Sequence, residues 1–252
     1  HEPMAQAEGL LGYLLLLLRQ FAGGPGAVEN NLVRFGLPAI LWGGLTWIAW
    51  SRRRQTSSPR ESTLVWGFLL AFLREAFMFG HVSMRLITGS SHNHPMVINM
   101  EPLEHALSMI SVVVVAGAFL HYLFKDRTLS RYYIWAGSGT AFVGYLITMP
   151  WWRSYTARYP DTQFHQTWAA WVFHVAASVF ILVAIGLLWR RRNWLRNVVV
   201  LALLFFFLGE SIILYNFATD KAHARYICPI GNTFHLLAIP LLRYVYLRAQ
   251  SI

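Results

Sequence analysis

Seven apolar stretches, at about 31–50, 62–84, 104–124, 131–150, 165–188, 195–216 and 232–249, constrain this chain more than any other feature. Each has the roughly 20 residues that a helix needs to cross about 30 Å of hydrocarbon at 1.5 Å per residue. Backbone amides in hydrocarbon must be satisfied within a helix or a closed barrel, and the runs lack the alternation of barrel strands. The expected fold is therefore all-α: a polytopic membrane protein built as a seven-transmembrane helix bundle. Charged residues make up 13% of the chain, against about 25% in soluble domains.

Residues 1–28 read as an external N-terminal segment and 29–252 as the seven-helix domain. Leu10 to Leu18 is apolar but too short to span, and Gly23, Gly24, Pro25 and Gly26 follow it. A short interfacial or re-entrant helix is expected there, with the hydrophobic core of a signal peptide as the alternative. The opening HEPMAQAEG does not resemble the start of a translated chain.

The net charge of +10 would suggest nucleic acid in a soluble protein, but the basic residues are ordered along the chain. Arg52, Arg53, Arg54 and Arg60 follow the first span, Lys125, Arg127 and Arg131 the third, and Arg190, Arg191, Arg192 and Arg196 the fifth. Arg243 and Arg248 mark the end of the seventh. That side has thirteen basic residues against Glu61 and Asp126, while the other has seven of each sign. Basic residues in short loops mark the cytoplasmic side. The expectation is a bacterial inner-membrane protein with a periplasmic N-terminus and a cytoplasmic C-terminus, its basic loops meeting anionic membrane lipids rather than nucleic acid. Trp50, Trp66, Trp189 and Trp194 are placed at the inner interface, and Trp151 and Trp152 at the outer one.

Lys125 and Lys221 fall between spans, so no lysine is available for a retinal Schiff base. The single cysteine, Cys228, excludes an internal disulfide.

Ionisable residues inside spans are costly and mark functional sites unless they hold the helices together. The second span carries Arg74, Glu75 and His81; the third begins with Glu101, Glu104 and His105; the fifth carries His165, the sixth Glu210 and the seventh His235. Counting turns from each outer end brings His81, Glu101, Glu104, His105, His165, Glu210 and His235 toward a similar outer level. They are the candidates for a ligand-binding or metal-binding site. Imidazoles and carboxylates together suit a transition metal, and His81 with His235, or His105 with His165, would suit haem. Arg74 and Glu75, nearer mid-membrane, are expected to form a charge network with Glu210. Glu101, Glu104, His105 and Ser108 share one helical face, and His92 and His94 precede it in GSSHNHP. His121 and His174 read as isolated packing histidines. Gly137, Gly139 and Gly144 suggest a close helix contact, and Pro240 a hinge between His235 and the inner exit.

WSRRR at 50–54, FLREAFMF at 72–79 and NTFHLLAIPLLRYVYLRA at 232–249 resemble the multi-pass, MASE-like membrane input domains of bacterial sensor histidine kinases and diguanylate cyclases. The resemblance implies signal transduction: reception at the outer side, passage through the seventh span, and a cytoplasmic kinase or cyclase output beyond residue 252, as in two-component systems. A homodimer is expected, because paired exiting helices would turn a small rotation into a change of output. No kinase or cyclase motif lies in the chain itself. A metal-dependent membrane enzyme using Glu104, His105 and Glu210, and a structural or accessory subunit of a membrane complex, remain as alternatives.

Overall fold

The computed structural model describes residues 10–23, 28–90, 94–160, 162–190, 193–218 and 224–249. Among these residues are eight α-helices: α1 (Leu10–Ala22), α2 (Val28–Thr56), α3 (Pro59–Thr88), α4 (Pro95–Phe124), α5 (Arg127–Arg158), α6 (Trp168–Trp189), α7 (Trp194–Ala218) and α8 (Ala224–Arg248). A 3-10 turn, Phe164–Gln166, precedes α6. Among the described residues, five helices are long and apolar enough to cross a membrane: α2, α3, α4, α6 and α7 over Trp194–Asn216. The chain is a membrane protein by that measure. Helices α5 and α8 are as long but more polar, with Ser138, Thr140 and Thr148 in α5 and Asn232, Thr233 and two prolines in α8.

Local chemistry sets the helix ends. Pro59 and Pro95 open α3 and α4, where the missing amide proton costs nothing. Asp126 caps α5 by accepting from Leu129 N at 3.0 Å. Gly89 closes α3 in the left-handed region at φ 63°. Lys125 closes α4 at the same φ, where a side chain is strained by about 1–2 kcal/mol. Lys125→Gly is therefore expected to stabilise the bundle by about 1 kcal/mol, read as a raised thermal midpoint in detergent; a lowered midpoint would count against it.

Helices α2, α3, α4, α6, α7 and α8 pack in that order and close into a ring, because α8 also touches α2. Helix α4 is the hub: Val112, Val113, Val115 and the run Ala116 to Leu120 are all buried, as expected of a helix that is apolar all round. Helix α5 lies outside the ring, chiefly against α4, and α1 crosses α8 and α2. Gly137 of α5 abuts Val113, and Gly117 of α4 abuts Ile134, so glycines bring these two backbones together. Gly144 faces Phe173 of α6, whereas Gly139 faces open space. Ser130 Oγ donates to Gly117 O (2.7 Å) and Tyr133 OH to Phe180 O (2.8 Å), tying α5 to α4 and α6.

Two details depart from the sequence reading. Trp152, expected at an interface, is fully buried and donates its indole N–H to Ile98 O at 3.0 Å. Trp47 and Trp135 instead project outward, 73% and 75% exposed. The fifth span also begins later than expected: His165 sits in the 3-10 turn, and α6 starts at Trp168.

Candidate functional site

The ring encloses a cavity of about 110 Å³. It is smaller than the roughly 150 Å³ cavity that admits benzene and well below the roughly 300–1,000 Å³ of drug-sized sites. One small solute fits. Its lining is unusual for a membrane bundle: Arg34 from α2, Arg74 and Glu75 from α3, Glu104, His105, Ser108 and Ser111 from α4. His174 of α6, Glu210 of α7, and Asn232 and His235 of α8 complete the polar set. Phe21 and Ala22, at the end of α1, cover one side, and Asn232 Nδ2 donates to Ala22 O at 2.9 Å.

Two clusters divide the charge. In the first, Arg74 donates to Glu75 and lies 3.8 Å from Glu104 Oε1, which is also 4.0 Å from Arg34. Arg74 and Glu75 are consecutive on α3 and meet Arg34 of α2 and Glu104 of α4, and they keep only 10% and 12% of their side chains exposed. In the second, Glu210 is buried between two imidazoles: His174 Nδ1 bonds Oε2, and His235 Nε2 lies 3.3 Å from Oε1. His235 Nε2 also faces Phe206 O at 3.2 Å. Carboxylate and carbonyl oxygens both accept, so His174 Nδ1 and His235 Nε2 carry protons. His105 directs Nδ1 to Glu101 O, one turn back on its own helix (2.9 Å), and sets its ring edge-on to His174 at 5.2 Å.

No known protein family, curated protein or solved structure matches the chain. What the site does must be read from its own geometry.

Of the seven site residues expected from the sequence, Glu104, His105, Glu210 and His235 line the cavity. His81, Glu101 and His165 do not. Glu101 turns away to accept from Phe164 N at 3.3 Å, holding the turn before α6. His94 caps α4 through Met96 N (3.3 Å) instead of reaching the site, and His92 lies outside the described residues. Arg74 and Glu75 do line the cavity, but the hydrogen bonds of Glu210 go to imidazoles rather than to Arg74. His121 pairs with Thr63 Oγ1 at 2.8 Å, near the opposite end of the bundle.

His174 is a correction: read as an isolated packing histidine, it is the closest partner of Glu210. The pairing is set by how α6 packs against α7, not by spacing within either helix. Counted from Trp168, His174 lies about 9 Å down its helix, close to the 12 Å or so of Glu210 below the end of α7.

The arrangement does not fit haem. Neither His81 nor His165 lines the cavity, so neither expected pair brackets it, and a porphyrin exceeds its volume. Among the described residues, no group of three or more His, Cys, Asp or Glu side chains is disposed to hold a metal ion.

Proposed function

We propose that the chain is a sensory input domain of a bacterial inner membrane, in which the state of the polar cavity is passed to the cytoplasmic side by α8. The proposed arrangement has seven spans, α2 to α8, with α1 at the periplasmic surface and the arginine-rich connections in the cytoplasm. The output is a kinase or cyclase function on the cytoplasmic side, as the resemblance to MASE-like input domains implies.

The observation that carries this reading is the position of α8. It lines the cavity with Asn232, His235, Leu236 and Ile239, and Pro240 follows immediately. Farther along, Tyr246 is buried against Phe68 and donates to the buried Glu61 at 2.7 Å. One helix thus touches the charged cavity at one end and is tied to α3 at the other. A proline between the two contacts removes a backbone hydrogen bond and lowers the cost of bending there. For sensing, the cavity must favour one of two α8 positions when its contents change, since a ligand shifts an equilibrium only by its differential affinity.

Ser111→Leu tests this without knowing the ligand, because Ser111 lines the cavity and is itself buried. Filling the space mimics occupancy. Spin labels at positions 54 and 248, in a Cys228→Ser background, are expected to report a change in separation of about 1–2 Å or more. An unchanged separation would sink the transmission role of α8 and leave a structural subunit as the better reading.

A further inference from the structure

We infer that the cavity holds one exchangeable monovalent cation, a proton or a small ammonium ion, at the Glu210 cluster. The inference rests on the sensory reading only for its consequence at α8; the site itself stands on the charges that face one another in the cavity.

Among the described lining residues, three carboxylates (Glu75, Glu104 and Glu210) face two guanidiniums (Arg34 and Arg74). With all three carboxylates ionised and the imidazoles neutral, the cavity would hold one negative charge too many. Inside a bundle such an excess is strongly unfavourable, so buried ionic groups are found paired. The guanidiniums are committed to Glu75 and Glu104, which leaves the excess on Glu210, 3% exposed between His174 and His235.

Among the described residues, the surrounding elements add no other charged group to the lining. Helix α1 contributes Phe21 and Ala22 to it, and the described side chains of α6, α7 and α8 contribute His174, Glu210 and His235 as their ionisable groups. On α3, His81 and Arg85 lie beyond the lining, as do Glu101 of α4 and His165 of the 3-10 turn.

Two chemistries supply the missing charge. His174 Nδ1 and His235 Nε2 already donate toward Glu210, so an added proton goes to the second ring nitrogen of one imidazole and makes it an imidazolium. An ammonium ion instead places its N–H donors among the carboxylates, Ser108 and Ser111, and the added proton then leaves as H⁺. The two compete for one charge. A hard metal cation is a poorer fit, because it needs a shell of about six oxygens and the groups nearest Glu210 are N–H donors. The volume of about 110 Å³ suits an ammonium or methylammonium ion.

The test uses the full chain in lipid nanodiscs. Between about pH 8 and 5, the range of an ordinary imidazole, wild type is expected to take up about one proton per chain more than Glu210→Gln. At fixed pH, ammonium chloride is expected to release that proton from wild type, and sodium chloride at equal strength is not. Glu104→Gln, which also removes one of the three carboxylates, is expected to lose both responses; a purely local hydrogen-bond role for Glu210 would leave them intact. Proton uptake and ammonium response in either variant equal to wild type would overturn the inference, as would sodium acting like ammonium. If neither variant folds, ¹⁵N resonances of the His174 and His235 rings in wild type decide: they are expected to move with pH and with ammonium, and flat signals would overturn the site. Spin labels at positions 54 and 248 separate the two claims. Exchange without movement of α8 keeps the site and sinks the sensory reading, whereas movement with Ser111→Leu but no exchange does the reverse.

Discussion

Replacing Arg74 with leucine is expected to destabilise the bundle by about 3–5 kcal/mol, the cost of removing one partner from a buried ion pair. The guanidinium is bonded to Glu75 and 3.8 Å from Glu104, with one tenth of its side chain exposed. Its loss leaves two carboxylates in the cavity with only Arg34, itself 4.0 Å from Glu104 and more exposed, to face them. Arg74→Lys is expected to recover part of the loss, since a single ammonium head cannot fork toward both carboxylates as a guanidinium does. Equilibrium unfolding in mixed detergent micelles measures both. A loss below about 1 kcal/mol, the range of exposed pairs, would mean that water reaches the cluster freely.

The second large effect is expected at Gly209. A side chain there would run into the ring of His235 and would meet Gly231 O at 2.8 Å. A Cβ added at Gly231 would in turn meet Gly209 O at 3.0 Å, so the two glycines let α7 and α8 come close together. Gly209→Val is expected to cost about 1–3 kcal/mol through overpacking, and more if the two backbones cannot part. It is also expected to push His235 off Glu210, with loss of the ammonium-linked proton release. Gly139→Ala is the matched control: its Cβ meets open space, and a glycine-to-alanine change inside a helix is worth up to about 1 kcal/mol of added stability. Equal losses at both positions would remove the packing explanation.

Much of the helical layout was legible because hydrophobic run length is a local property. The runs at 62–84 and 104–124 lie inside α3 and α4, and Pro59 and Pro95 mark where those helices begin. The start of α6 was less legible. Phe164 is apolar and extends the run, yet it is buried against His105 and Trp152 in a 3-10 turn whose backbone Glu101 holds. That tertiary contact set where α6 begins, while the partnership of His174 with Glu210 rests on the packing of α6 against α7, which neither segment encodes alone. Trp152 was misplaced for a related reason: an indole suits an interface or a buried donor equally, and the carbonyl of Ile98, on another helix, decides which.

Within the site, Glu104, His105 and Ser108 were recognisable as one helical face, because their spacing is fixed by the helix itself. Glu101 belongs to the same face but is drawn away by Phe164 N. Arg34 and Asn232 carried no local signal, as both are polar residues near span ends that join the cavity only through ring closure.

By itself, the sequence determined the class of protein: an all-helical chain with several apolar helices, depleted of charge, with basic residues clustered at alternate connections. These properties follow from the run length and hydrogen bonding demanded by hydrocarbon, and each is settled within a single segment. Only the tertiary structure decided which charges meet. Closing α2, α3, α4, α6, α7 and α8 into a ring brings Arg74, already beside Glu75 on α3, to Glu104, and Glu210 to His174 and His235. Partner choice among buried ions depends on rotation and depth between helices that are far apart in the chain, and no spacing within one helix encodes it.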